Sequence, residues 1–207
     1  MNDLKKNYFD LLNPKPVWPM NLNRVNSIYN TMSRTIRNGS ECHKKSLKNV
    51  LLIIANEFDI KDKFLIKSQS QFDQWLSSKI EFLMEIEFDW VDASFNRRTN
   101  IELGLAQKFI NLMLKDWWCI KSQTDTMNPA FLHAPFDNII WSTLIKSGLG
   151  YFPSLNKGGY YVNLSKQDYE NYQKILISDE LKTKYNFSKE LIRIEIEQYL
   201  WSSSMML

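Results

Sequence analysis

An all-α, compact multi-helix domain is the fold class this sequence predicts, and three observations carry it. Apolar residues recur three and four positions apart over long stretches, as one buried face of a helix requires. Only 6 Gly and 6 Pro punctuate 207 residues, too few for a turn-rich β protein. The stretch Gly104–Lys115, running on to Ile120, is apolar almost all round: Phe109, Ile110, Leu112, Met113, Leu114, Trp117, Trp118 and Ile120 leave little surface for water. A helix of that kind is central and buried. Its polar residues Lys108, Asn111 and Lys115 fall at i, i+3 and i+7 and so share one face. A lysine near the start of a buried helix needs a reason.

Composition sets the outer bounds. Hydrophobic content of 44% with 14% aromatics belongs to a globular chain, and 207 residues suit one domain with a sizeable core. The longest unbroken apolar run, Val50 to Ala55, is too short to span a bilayer. Met1 to Asp10 has no apolar signal core, so a cytoplasmic protein without a membrane partner is expected. Cys42 and Cys119 make no disulfide framework and supply too few ligands for a zinc knuckle or an iron–sulfur cluster. A net charge of +3 and a pI near 8.7 permit nucleic-acid binding without demanding it.

Taken in order, residues 1–22 read as an extended arm, because Asn13-Pro14-Lys15-Pro16 and Trp18-Pro19 disfavour helix. Asn23 is placed to cap a helix from Arg24 to about Arg37, with Val25, Ile28, Tyr29, Met32 and Ile36 inside and Asn38-Gly39 ending it. Ser40 precedes a second helix over about 41–58, burying Leu47, Val50, Leu51, Ile54 and Phe58. A third, about 70–87, begins near Ser70 and buries Phe72, Trp75, Leu76, Ile80, Leu83 and Met84. Residues 88–103 form a polar, basic connection into a tight turn at Gly104, and the central helix runs to about Ile120. After a polar loop over 121–128, His133-Ala134-Pro135-Phe136-Asp137 leads into a helix that starts at Asp137 and stops at Gly148-Leu149-Gly150. Gly158-Gly159 is a turn, and Tyr160 to Leu164 is extended. Ser165 caps a helix to about Ile177, and Ser188 caps the last, to about Trp201.

Two of these stretches belong together. Gly-Leu-Ala-Gln-Lys at Gly104–Lys108, followed by the apolar helix and then by Pro135-Phe136-Asp137, resembles the helix-hairpin-helix DNA glycosylases, the superfamily of endonuclease III and 8-oxoguanine glycosylase. The resemblance covers roughly 40 residues closely. It implies a helix-hairpin-helix element in the fold, with Gly104 as the first hairpin glycine. It further implies Lys108 as the catalytic lysine, Asn111 one turn on, and Asp137 as the catalytic aspartate. Ala106 stands where the family has its second hairpin glycine, and Glu102-Leu103 where it often has Leu-Pro. The interval from Lys108 to Asp137, 29 residues, is longer than in endonuclease III.

The implied chemistry is base excision from double-stranded DNA by a monomer, with an associated AP-lyase activity. Such an enzyme extrudes its nucleotide, at a cost of a few kcal/mol of unstacking. A neutral lysine amine, favoured by desolvation, then attacks the anomeric carbon. A carboxylate nearby stabilises the charge that develops on the sugar. The hairpin around Gly104 and Ala106 would hold a phosphate through backbone N–H groups, directly or through a monovalent cation. Arg97 and Arg98 would add electrostatic grip, and His133 is a further contact on the loop before Asp137.

Each residue also has an ordinary role. Lys108 is by default solvent-facing, Asp137 a carboxylate at a helix N-terminus, and Asn111 a donor to a core carbonyl. His133 is an unremarkable loop histidine, and Trp117 and Trp118 are core. Arg34, Arg37, Lys44, Lys45 and Lys48 form a basic stripe of the kind that is usually just solvated. Two other functions follow from those readings. One is a non-catalytic helix-hairpin-helix protein that binds DNA; the other is a helical protein-interaction factor of a mobile element.

Overall fold

Where the sequence suggests an extended arm, the chain begins with a helix, α1 (Asp3–Leu11), whose Leu4 and Tyr8 are buried. Those two residues stand four apart on one face, and that spacing carries more weight than the prolines that follow. In the computed structural model the described residues are 3–32, 36, 41–57, 66–92, 95–121, 127–153, 155 and 163–204. Arg34, Arg37, the Asn38-Gly39 stop, the Ser40 cap, Phe58, the Gly158-Gly159 turn and most of the extended piece from Tyr160 lie outside them.

Helix α2 (Leu22–Thr31) starts two residues earlier than the Asn23 cap implies. Asn21 takes that place, its side chain accepting from the Arg24 N–H at 3.0 Å. Helix α3 (Glu41–Glu57) and helix α4 (Gln69–Met84) follow, the second starting within one residue of its expected start and capped by Ser68. The stretch expected to be a polar connection contains an antiparallel pair, β1 (Glu87–Val91) and β2 (Arg97–Asn100), with Trp90 opposite Arg98 and Val91 opposite Arg97. Phe88 and Trp90 are buried and alternate with less buried neighbours, and the Trp90 indole donates to the Asn100 carbonyl at 2.8 Å.

Helix α5 (Leu103–Lys121) is the predicted central helix, packed against α1, α2, α3 and α4. Its helical bonding already begins at Glu102, whose carbonyl accepts from Leu105 and Ala106, each at 3.0 Å. Gly104 and Ala106 therefore lie inside the first turn of α5, both buried, and the chain does not make its tight turn there. The turning is done by the β1–β2 pair.

Beyond α5, a single 3₁₀ turn (Pro129–Phe131) leads through an irregular segment to α6 (Asn138–Lys146), which ends at Gly148 in a left-handed conformation, as expected. Helix α7 (Lys166–Leu176) carries the predicted Ser165 cap. The short α8 (Asp179–Lys184) was not anticipated. Ser188 caps only a local turn, and the last helix, α9 (Arg193–Ser204), starts four residues later than the Ser188 cap implies. The protein is thus mostly helical, and no helix among the described residues is long and apolar enough to cross a membrane.

Two apolar clusters result. One surrounds α5 with α1 to α4 and the strands; the other gathers Phe136, Ile140, Leu144, Phe152, Tyr172, Leu176 and Leu200 from α6, α7, α9 and their connections. Between them runs a seam of polar residues on one face of α5. Lys108 meets Asp137 at the start of α6, Asn111 meets Tyr169 on α7, and Lys115 meets Glu197 on α9. On the neighbouring face Asp116 accepts from Arg24 Nε at 2.5 Å and from the Tyr8 hydroxyl at 2.8 Å, tying α1 and α2 to the same helix. Burial alone would drive the Glu197 carboxyl up from its ordinary value, and the Lys115 ammonium opposes it.

Lys115 and Glu197 are each 4% exposed, so removing one charge strands the other. Glu197→Leu is expected to cost about 3–5 kcal/mol in urea unfolding, and adding Lys115→Met to recover much of it. A double variant as unstable as the two single losses summed would contradict this.

Candidate functional site

Asp137 is fixed first by its place in the chain. It is the N-cap of α6, and its Oδ1 accepts from the Ile139 N–H at 2.9 Å. A carboxylate at that position also faces the positive end of the helix. Its other oxygen, Oδ2, accepts from Lys108 Nζ at 2.5 Å. Lys108 comes from the second turn of α5, so the two sequence stretches resembling one family meet at this contact. The side chains are 9% and 16% exposed: the pair is largely enclosed yet open along one edge. Ammonium and carboxylate are in direct contact, with no room between them for another group.

The loop before Asp137 is buried without being helical, and side chains satisfy its backbone. The Gln107 amide accepts from the Phe136 N–H at 3.0 Å and donates to the Phe136 carbonyl at 3.2 Å and to that of Gly104 at 2.8 Å. Gln173 grips Ala134 in the same two-sided way, accepting from its N–H at 3.0 Å and donating to its carbonyl at 2.7 Å. The Tyr172 hydroxyl donates to the Pro135 carbonyl at 2.9 Å. Three consecutive residues are therefore held by side chains from α5 and α7, as buried peptide groups require.

Asn111 stands one turn beyond Lys108, fully buried, and donates to Gln107 Oε1 at 3.1 Å and to the Tyr169 hydroxyl at 2.8 Å. That hydroxyl lies 3.0 Å from His133 Nδ1, whose other ring nitrogen is 3.1 Å from Asp73 Oδ1. The donor pattern that closes this chain is a neutral imidazole, with its proton on Nε2 toward Asp73 and the tyrosine donating to Nδ1. Burial pushes His133 below its ordinary value, against the pull of Asp73.

The other predicted contacts are placed elsewhere. Arg98 Nη2 lies 3.0 Å from Asp92 and Arg97 Nη2 lies 3.3 Å from Asp89, so both guanidiniums are engaged by carboxylates of the β1–β2 hairpin. Gly104, Ala106 and Asn111 are buried and take no direct part in a surface. The structure thus brings Lys108 and Asp137 together, sets Asn111 and His133 behind them as a hydrogen-bonded support, and separates Arg97 and Arg98 from the group. Sequence reasoning missed Gln107, Tyr169, Gln173 and Glu197. Only Gln107 carried a signal, as a second polar residue beside Lys108 in an otherwise apolar helix.

Among the described residues no group of three or more His, Cys, Asp or Glu side chains is placed to hold a metal ion, and both thiols are free. Comparison with protein-family models, with curated proteins and with solved structures gives no match.

The buried imidazole has a pH consequence. The folded chain binds the His133 proton less readily than the unfolded chain does, so stability is fully present above about 6.5. It declines as pH falls from there toward the lowered folded value, by at most about 1.4 kcal/mol per pH unit. Unfolding free energies of the wild type and His133→Gln between pH 7.5 and 5.5 check this. The variant should lose less stability on acidification, and equal slopes would refute the assignment.

Proposed function

We propose that the chain is a DNA glycosylase with associated AP-lyase activity, in which Lys108 is the nucleophile and Asp137 its proton acceptor. The observation that carries the reading is the contact between Lys108 Nζ and Asp137 Oδ2 at 2.5 Å, nearly enclosed and at a helix N-cap. An amine and a carboxylate 29 residues apart in the chain stand where one proton passes directly between them. The resemblance of Gly104–Lys115 and Pro135–Trp141 to the helix-hairpin-helix glycosylases adds the substrate class. In this reading α4, the β1–β2 hairpin and α5 occupy the place of the family's helix-hairpin-helix element.

The chemistry balances with these two groups alone. Asp137 takes a proton from the ammonium, leaving a neutral amine. The Nζ lone pair forms a bond to C1′ of an extruded nucleoside while the C1′–N bond breaks and its electron pair leaves with the base. The departing base takes a proton from the nitrogen that has just become cationic. The nitrogen lone pair then forms C=N as the C1′–O4′ bond breaks, and protonated Asp137 returns its proton to O4′. A protonated Schiff base and the Asp137 carboxylate remain; the carboxylate takes a C2′ proton, the C2′–H electron pair forms C2′=C3′, and the C3′–O bond breaks as its electron pair leaves with the 3′ phosphate. The fixed cap geometry of Asp137 keeps its charge in place as positive charge develops on the sugar, so the carboxylate does not have to reorganise.

A second reading has its own support. The pair is in direct contact, with no gap between the two groups, which suits an ion pair that joins α5 to α6 in a non-catalytic DNA-binding protein. Borohydride trapping on duplexes with an abasic site or an oxidised base separates the two. A covalent complex is expected with the wild type and none with Lys108→Ala. Asp137→Asn keeps a cap acceptor and should slow base release about a hundredfold. Salt-dependent DNA binding without trapping or base release on any such duplex would leave the second reading standing.

A further inference from the structure

Lys108 and Asp137 are each preceded in the chain by a residue of one further contact: Gln107 precedes the lysine and Phe136 precedes the aspartate. The Gln107 amide bonds both the N–H and the carbonyl of Phe136, at 3.0 and 3.2 Å. It closes a ring much as a paired strand residue would, and it does so at 0% exposure. Its remaining capacity is used as well, because Oε1 also accepts from Asn111 and Nε2 also donates to Gly104 of its own helix. A side chain held at both ends in this way has one orientation, and so does the peptide it grips. The bond therefore sets the register between α5 and the start of α6 one residue away from the ion pair.

The geometry points to Gln107 as the positioning residue for the Lys108–Asp137 pair: its two-sided bond to Phe136 fixes the separation and alignment of the amine and the carboxylate. This rests on the glycosylase reading for its catalytic meaning, but the positional statement stands apart from it. Gln173 provides a matched comparison. It makes the same two-sided bond to the same loop, is also buried, and holds Ala134, three residues before Asp137. If Gln107 merely satisfies buried peptides, the two glutamines are equivalent. If it positions the pair, they are not, because a misplacement of about 1 Å at reacting groups is enough to cost about a hundredfold in rate.

The experiment compares Gln107→Met with Gln173→Met. Gln107→Glu and Gln173→Glu, which keep the acceptor and lose the donor, serve as the second pair should a methionine variant fail to fold. Two readouts are taken. The first is the rate of reductive methylation of Lys108 in the intact protein, followed by peptide mass spectrometry; the ion pair shields the amine. Labelling is expected to rise several-fold in the Gln107 variant and to stay near wild type in the Gln173 variant. The second is single-turnover base release beside DNA affinity, where the Gln107 variant should lose rate with little change in affinity. Equal Lys108 labelling in the two variants overturns the positioning role whatever the activity. A wild type that releases no base from any lesion instead overturns the glycosylase reading, and the labelling result still decides the role of Gln107.

Discussion

Everything near the candidate site depends on one constraint: a polar seam is buried between two apolar clusters, and its groups find their partners there, the Asn111 side-chain oxygen being the exception. Three kinds of demand meet along the same face of α5. Lys108 and Lys115 bring charge, Asn111 and Gln107 bring amides, and Ala134, Pro135 and Phe136 bring peptide groups that are satisfied by side chains. Stranding any one of them costs far more than a hydrogen bond contributes when it forms. The register of α5 against α6, α7 and α9 is therefore set by polar matching as well as by the apolar contacts on either side. Apolar packing brings the clusters together and tolerates small slips; the seam does not.

In the glycosylase reading proposed above, the same constraint makes a structural contact and a reactive one coincide. Asp137 would serve the fold as a cap alone, and Lys108 would serve it as a charge on the carboxylate. Held together at an enclosed edge, they form a pair in which the proton needed for one role is the proton given up in the other. Two turns along the helix, Lys115 and Glu197 make a similar pair at 4% exposure each, with no comparable edge.

Much of this was legible in the residues. The apolar circumference of α5 announced a central helix, and the spacing of Lys108, Asn111 and Lys115 announced its single polar face. Pro135-Phe136-Asp137 announced a capped helix start, because a carboxylate before an apolar run satisfies orphan N–H groups. What the sequence did not yield was set by contacts between distant parts. Glu197 and Gln173 look like surface residues of ordinary helices until α5 and the loop pack against them. Arg97 and Arg98 read as a basic patch until the strand pairing brings Asp89 and Asp92 opposite. The hairpin had a local signal after all, in the alternation of Phe88 and Trp90 with polar neighbours. Its length, five residues against four, is short enough to be taken for a connection. At α1, three prolines downstream suggested an arm, whereas Leu4 and Tyr8 four residues apart were the better guide.

The central claim is that the Lys108–Asp137 pair parts to receive the sugar of an extruded nucleotide. It is tested most directly by following the Lys108 Nζ resonance by ¹⁵N NMR, assigned with Lys108→Arg, as a duplex containing a tetrahydrofuran abasic analogue is added. The account predicts that this resonance shifts on the abasic duplex and not on an undamaged duplex of the same sequence, while the Lys115 resonance stays where it is. A Lys108 resonance unmoved by saturating abasic duplex, or moved equally by undamaged DNA, would contradict it.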